Sequence, residues 1–304
     1  MNLPFFTIVI PTYGRPKLLA ACLQSLTRLD YPQDCFEVIV VDDGSEVLQH
    51  DIVYPFHSHL NLVFLERPHA GPASARNYGA AEAKGQYLAF IDDDCTPAHN
   101  WLQALSTRFS DSPDCAIVGR TLNALEKNPY SSASQMLVDY FYRCFNSDPS
   151  NAQFLTSNNV AFPSRRFHSI GGFDTSFRLA GGEDRDICDR WLHHGYKIIY
   201  VPEALVYHAN ALTCFSFWKQ HFNYGRGAFS FHRRRAQRRR GVIGAESPGF
   251  YFNLLFDNSS GAKCGSAVLL VLLRAVSQIA NTAGFCWEAV QKRWETRSDL
   301  NRRL

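Results

Sequence analysis

Apolar residues in this chain come in short runs that break off abruptly into polar clusters. Phe5-Phe6-Thr7-Ile8-Val9-Ile10 gives way to Pro11-Thr12-Tyr13-Gly14-Arg15-Pro16, after which Lys17 to Thr27 carries apolar positions at helical spacing. Phe36-Glu37-Val38-Ile39-Val40-Val41 ends in the turn-forming Asp42-Asp43-Gly44-Ser45. Leu62-Val63-Phe64-Leu65 is followed by Gly71-Pro72, which predicts a helix through Arg76 to about Lys84. Tyr87-Leu88-Ala89-Phe90-Ile91 stops in Asp92-Asp93-Asp94. Such uniformly apolar runs predict strands covered on both faces. Their alternation with helices predicts an α/β fold, a mostly parallel, doubly wound sheet with right-handed crossovers.

In such a sheet, ligands bind at the carboxyl edge of the strands. That edge here collects Asp42-Asp43, Arg76 and Asp92-Asp93-Asp94. Continued strand alternation sends Asp92 and Asp94 to one side and Asp93 to the other. Neighbouring carboxylates repel unless a cation lies between them, and hard oxygen ligands suit Mg²⁺ or Mn²⁺. The expectation is a metal site carrying a phosphorylated ligand. Each feature also has a plain structural reading: Asp42-Asp43 as a polar turn, Arg76 as a solvated helix face, and the acids as a strand end before a helix capped at Thr96 with Pro97 in its first position. No Gly-x-Gly-x-x-Gly follows the first strand and no Gly-x-x-x-x-Gly-Lys-Ser/Thr occurs. Neither a dinucleotide site nor a P-loop is supported, so metal and arginine must hold the phosphate.

Further on, Thr156-Ser157-Asn158-Asn159-Val160-Ala161-Phe162 predicts a strand lining the same cleft, and Gly171-Gly172-Phe173-Asp174 a tight turn. Ala180-Gly181-Gly182-Glu183-Asp184-Arg185-Asp186 sets two glycines, which let backbone approach a ligand closely, ahead of acids that open a helix. The macrodipole alone favours acids there, but a carboxylate so placed can also serve as a general base. Tyr196 to Val201 and Pro202 to His208 return to strand character and close on a single histidine. An isolated histidine is commonly structural; added to a carboxylate it completes a site suited to Mn²⁺.

Val40-Val41-Asp42-Asp43-Gly44-Ser45, Gly71-Pro72-Ala73-Ser74-Ala75-Arg76-Asn77, Phe90-Ile91-Asp92-Asp93-Asp94, Gly171-Gly172-Phe173-Asp174 and Gly182-Glu183-Asp184-Arg185-Asp186 follow one another in order, and Pro202 to His208 reads Pro-x-Ala-x-Val-x-His. In this order and spacing the chain resembles the family 2 inverting glycosyltransferases from about residue 5 to 210. The resemblance implies a GT-A fold binding a nucleotide-sugar, with residues 1–210 as the catalytic domain and 211–304 as a helical C-terminal appendage. It implies that Pro11, Thr12, Tyr13, Arg15 and Asp43 line the nucleotide, with Asp42 supporting that loop. Asp92 would face ribose and sugar within the Asp-x-Asp motif that includes Asp93. Asp94 and His208 would hold Mn²⁺ or Mg²⁺, and Arg76 the diphosphate side. Asp184 is implied as the base and Glu183 as a partner for sugar hydroxyls; Gly181, Gly182 and, outside the resembling stretch, Trp218 are further candidates for the acceptor side. The implied reaction is metal-assisted transfer from a nucleotide-diphosphate sugar, UDP-linked by expectation, to a hydroxyl of a glycan or lipid-linked acceptor.

Composition narrows the setting. With 46% apolar and 19% charged residues the chain is globular, and 304 residues give room for one large domain and an extension. A net charge of +3 is too small to imply nucleic acid. Nine cysteines without a Cys-x-x-Cys pair argue against a zinc module or a disulfide framework and lead to an expected reducing compartment. Met1 to Phe6 lacks the features of a signal peptide, so the expected location is cytoplasmic, peripheral on the inner face of the membrane.

The last third is read from local pattern. Phe215 to Gly227 mixes aromatics with polar groups, as an acceptor wall, a lipid-facing helix or core packing would. Arg233-Arg234-Arg235 and Arg238-Arg239-Arg240 form a basic run. Ala267 to Ala280 is apolar, with Arg274, Gln278 and Asn281 as a polar stripe opposite Val268, Leu272, Val276 and Ile279. That predicts an amphipathic helix, either lying with the arginines on an anionic membrane or packing within the molecule or a dimer. Two rival functions stand beside the transferase. Asp92-Asp93-Asp94-Cys95-Thr96 fits the Asp-x-Asp-x-Thr of haloacid-dehalogenase-like phosphatases, and a non-catalytic membrane-surface adaptor would reuse the scaffold.

Overall fold

The computed structural model describes residues 3–301 apart from 48, 178, 180, 240–246 and 258–266. The chain opens as expected: β1 (Phe6–Thr12) leads to α1 (Pro16–Leu26), β2 (Phe36–Asp42) to a short α2 (His50–Val53), and β3 (Leu62–Glu66) to α3 (Pro72–Ala81). Next come β4 (Tyr87–Ile91), β5 (Cys95–Pro97), α4 (Trp101–Asp111), β6 (Ala116–Asn123) and α5 (Pro129–Phe145). The sheet is completed by β7 (Asn159–Pro163), α6 (Ser164–Ser169), α7 (Glu183–His193) and β8 (Ile198–His208). Three helices follow: α8 (Cys214–Arg239), α9 (Pro248–Phe256) and α10 (Ala267–Asn301).

The strands form one sheet in the order β3-β2-β1-β4-β7-β6-β8-β5. The first four are parallel, as is the pair β6/β8. β7 runs antiparallel to β4 and β6, and β5 antiparallel to β8. β1, β2 and β4 are buried at every position because helices cover both faces. Leu19, Leu23, Trp101 and Leu105 of α1 and α4 pack on one face, and Ala73, Phe167, Ile187 and Trp191 of α3, α6 and α7 on the other. Register is lost between Gly119 and Arg120. Asn159 closes the gap, donating to the carbonyls of Arg120 and Ala204 at 3.0 and 2.9 Å and accepting from Trp101 Nε1 at 2.9 Å.

Several local expectations are overturned. Thr96 and Pro97 cap no helix. They belong to the edge strand β5, in which Cys95 lies opposite His208, and α4 starts at Trp101 after Asn100. The extended backbone favoured before proline finds ladder partners on β8 instead. The strand alternation expected of the acids also fails, because β4 ends at Ile91. Asp92 turns to Arg76, while Asp93 and Asp94 both turn to Arg15.

The C-terminal helices differ most from expectation. The polar stripe of α10 exists but faces inward: Arg274 is 2% exposed, against 68% for Val268 and 57% for Leu272. Most of the arginine run of α8 is engaged within the protein, although Arg233 is exposed. Arg234 pairs with Asp174, while Arg235, Arg238 and Arg239 pair with Asp186 and Asp189 of α7; Arg240 lies outside the described residues. Gly227 of α8 lies against the Gly181-Gly182 turn so closely that a Cβ on it would come 1.8 Å from the Gly181 carbonyl oxygen.

Candidate active site

The carboxyl edge of the parallel strands gathers the acids around two arginines. Arg15, just before α1, donates from NH1 to Asp94 Oδ2 at 2.8 Å and pairs through NH2 with Asp93 Oδ1 at 2.5 Å. Thr12, at the end of β1, donates its hydroxyl to Asp93 Oδ2 at 2.7 Å. Burial, helped by the neighbouring Asp94 charge, pushes the Asp93 carboxyl up to about 7 against the opposing pull of Arg15. Burial also acts on Asp94, but hydrogen bonding and charge from His208, with Arg15, outweigh it and hold that carboxyl at about 2.

His208 ends β8 and brings Nε2 to 3.2 Å from Asp94 Oδ1. Burial disfavours its protonated ring, yet Asp94 overcomes this and raises the imidazole above its ordinary value. Its Nδ1 stands 3.5 Å from Asn158 Nδ2. The potential ligand atoms of Asp94, Cys95 and His208 lie within 4.8 Å of one another. The donor set fits a divalent cation: a carboxylate kept ionised and an imidazole suit Mn²⁺ or Mg²⁺. The Cys95 thiol is pushed up by burial and the flanking acids, and soft sulfur suits Mn²⁺ or Mg²⁺ less well than the carboxylate and imidazole do.

Arg76 lies in the second turn of α3, 3% exposed, and connects this cluster to the next. Its NH2 donates to Asp92 Oδ1 at 2.6 Å and its NH1 lies 3.7 Å from Glu183 Oε1. Nε and NH1 have no hydrogen-bond partner although buried, so this cation keeps donors to spare. Gly181 and Gly182, at φ +123° and +101°, take backbone conformations that glycine permits at no steric cost. They turn the chain so that Glu183 accepts from the Gly181 N–H at 2.7 Å. Burial and the adjacent Asp184 raise Glu183 to about 8.

Asp184 is raised by burial, opposed by Arg76 and by hydrogen bonds from the hydroxyl and N–H of Ser157. Its Oδ1 is out of contact with solvent and has no hydrogen-bond partner. Desolvation raises the Tyr224 hydroxyl, and the Asp184, Glu183, Asp92 and Asp94 carboxylates all add to the shift, although the residue as a whole is 37% exposed. The expected base and the expected metal ligands therefore share one electrostatic neighbourhood, with Arg76 between them. Ala180, at the head of the same turn, lies outside the described residues.

At the other end, Asp42 accepts from Ser45 N–H and hydroxyl at 3.0 and 2.5 Å, which fixes the β2 turn. Asp43 accepts from the Gly71 N–H at 2.7 Å and lies 2.9 Å from His69 Nδ1. His69 lies against the half-exposed Tyr13, ring centroids 4.5 Å apart. Pro11 is buried as the next-to-last residue of β1. Trp218 stands 40% exposed on α8, about 120° around that helix from Tyr224 at 100° per residue. The sequence singles out none of His69, Ser157 and Tyr224 individually; Ser157 falls in the stretch expected to line the cleft, Tyr224 in the aromatic stretch of α8, and His69 carries no signal at all.

Comparisons with known proteins agree with this geometry. The family model described as glycosyl transferase family 2 matches residues 7–170, more than half of the chain. The protein belongs to glycosyltransferase family 2. A second model, described as the N-terminal domain of galactosyltransferase, matches residues 145–211. The pre-mycofactocin glycosyltransferase of Mycobacterium tuberculosis is 34% identical over 209 residues, which are 66% of this chain and 42% of that protein. The chain thus spans well under half the length of that relative.

Among solved structures, the mannosyltransferase PcManGT from Pyrobaculum calidifontis, in complex with GDP-Man and Mn²⁺, aligns with a TM-score of 0.63 at 20% identity, covering 97% of this chain and 88% of that one. Residues 1–349 of S. aureus TarS, in complex with UDP-GlcNAc, align at 0.56 and 14% identity, covering 96% and 92%. The fold is therefore GT-A, and the phosphatase reading falls. A haloacid-dehalogenase-like enzyme carries its nucleophile on the first strand, whereas here the triplet follows the fourth, and family 2 membership accounts for the same acids.

Proposed function

We propose that this family 2 enzyme is an inverting, metal-assisted glycosyltransferase, moving a hexose-like sugar from a UDP-linked donor to a hydroxyl on a glycan or lipid-linked acceptor. The observation that carries this reading is Arg76, paired with Asp92 and Glu183 and acting electrostatically on Asp184, beside the Asp94–His208 pair: a proton acceptor next to a cation site. Tyr13, Thr12 and Arg15 line the nucleotide, with the Asp43–His69 pair beneath the Tyr13 ring. Asp92 meets ribose and sugar. Asp94 and His208 hold Mn²⁺ or Mg²⁺, which when bound supplies Lewis-acid neutralisation of the departing diphosphate. The unspent donors of Arg76 serve the same oxygens.

Asp184 is the general base. Its unpartnered Oδ1 takes the proton of the acceptor hydroxyl as the new C–O bond forms opposite the breaking bond to diphosphate, which inverts the anomeric centre. Glu183 is already engaged by Gly181 and Arg76 and holds the turn that presents Asp184, with Gly181 and Gly182 leaving room for acceptor. Trp218 belongs to the acceptor side farther out. Asp184→Asn is expected to lose about 10²–10⁴-fold in transfer while binding donor as before. Near-normal turnover removes Asp184 from this role. A thermal-shift screen of UDP- and GDP-sugars with and without Mn²⁺ tests the donor and the cation together, and a chain stabilised by none of them favours the adaptor reading.

A further inference from the structure

Between Ala267 and Val290, helix α10 has only two charged side chains, and both point into the protein. Arg274 gives NH1 to the Asp257 carbonyl at 2.6 Å and Nε to that of Leu270 at 3.3 Å. Glu288, 8% exposed, accepts from Arg226 Nε at 2.8 Å. The outward face is Val268, Leu272, Ile279, Trp287 and Val290, each more than half exposed. A helix on a water-facing surface sorts these residues the other way round.

The apolar face extends beyond α10. The Phe222 and Trp287 rings, 6.5 Å apart, join it to the exposed Phe215 and Trp218 on α8. Helix α9 has no charged residue and exposes the paired rings of Phe252 and Phe256, 4.7 Å apart. Ala267–Arg293 is long and apolar enough to cross a membrane. Its other side is closed by α8, however, where a Cβ on Gly225 would meet Asn281 oxygen at 1.8 Å and one on Gly284 would meet Phe222 oxygen at 1.9 Å. Only one side is open to lipid.

We propose that the α8–α10 face docks on an anionic phospholipid bilayer and sinks its apolar side chains into it. Charge selects this occupant. Residues 211–304 carry fifteen Lys and Arg against five Asp and Glu, whereas residues 1–210 carry sixteen against twenty-three. The α8 arginines paired with α7 account for part of that excess, but Lys219, one turn from Phe215, and Arg293, one turn from Val290, stay exposed at the edge of the apolar face. A second copy on the same face would set like charges against each other, while an anionic headgroup layer complements them.

Docking has a consequence that rests on the transferase reading above. A groove of about 620 Å³ lined by Leu125, Lys127, Pro129, Tyr130, Leu212 and Cys214 opens between the loop after β6 and the start of α8. Asn123, just before that loop, pairs with His208 across β6 and β8, so a membrane-borne acceptor held in the groove would lie near the His208 end of β8.

The test is flotation of the full chain with vesicles of equimolar phosphatidylcholine and phosphatidylglycerol. At low salt the protein is expected to float with these vesicles and much less with phosphatidylcholine alone. A Leu272→Glu/Ile279→Glu double variant is expected to lose about tenfold or more in partitioning, with its melting temperature unchanged. Quenching of tryptophan fluorescence by brominated lipid should weaken in Trp287→Phe. The proposal is overturned if the folded wild type does not float at low salt, if the double variant floats equally well, or if the face instead supports a dimer in solution that the double variant dissolves. Donor binding stands apart from each of these outcomes, so a failure here leaves the transferase reading untouched.

Discussion

Nε2 of His208 stands 3.2 Å from Oδ1 of Asp94, and each group holds the other's charged form: the carboxyl at about 2, the imidazole above its ordinary value. In place of a proton, a divalent cation would find an ionised oxygen and a nitrogen already paired. His208→Ala is therefore expected to weaken Mn²⁺ binding by at least the roughly 10–100-fold that loss of a supporting residue alone costs at metal sites. Calorimetric titration of Mn²⁺ in the presence of UDP measures this. Unchanged affinity would take the histidine out of the ligand set.

Glu183 titrates at about 8, raised by burial and by Asp184 from an ordinary 4.5. The folded protein therefore binds a proton here that the unfolded chain has already released. Stability from this group is fully present below about 4.5 and is lost as pH rises through about 8. Glu183→Gln keeps an oxygen for the Gly181 N–H and cannot ionise. Across that window its stability should fall less than that of the wild type, by about 2–4 kcal/mol. Denaturant melts at successive pH values give the comparison, and parallel curves would show that Glu183 is not protonated in the folded state.

Gly227→Ala tests whether α8 sets the position of Asp184, the proposed base. Its Cβ would fall 1.8 Å from a backbone oxygen that cannot swing aside, so α8 and the Gly181-Gly182 turn must separate. The expected cost is about 1–3 kcal/mol of stability, as for other overpacked sites, together with a drop in kcat larger than any change in donor affinity. Gly249→Ala is the control, because its Cβ would have nothing nearer than 3.9 Å. Equal activity of the two variants would mean that the turn holds its shape without α8.

The first half of the fold was legible because its strands are apolar without interruption and their ends are marked by Asp42-Asp43, Gly71-Pro72 and Asp92-Asp93-Asp94. Periodicity reports which residues are buried, and these strands are buried on both faces. It says nothing of direction, so the antiparallel insertion of β7 and the edge strand at Cys95–Pro97 were not foreseen. The chain of contacts through Arg76 was hidden for the same reason: its partners Asp92 and Glu183 come from other elements, and only tertiary packing brings them together. On α10 the pattern was read correctly as two stripes, but amphipathicity cannot say which stripe meets solvent. Which alternative the arginine run takes is not legible locally, because its partners Asp174, Asp186 and Asp189 lie far upstream.

Cys95 lies opposite His208 across β5 and β8, and the Ala209 N–H donates to the Asp94 carbonyl at 2.8 Å. The carboxylate and the imidazole are thus adjacent teeth of one zip. The ladder fixes how far apart their backbones lie and the two side-chain rotamers close the remaining distance, so under the transferase reading substitutions away from β5 and β8 would re-tune which sugar enters without disturbing the proposed cation site. The zip is also only three residues long and sits at the sheet's margin, so the Ala209 amide, followed by hydrogen exchange, would register its fraying directly.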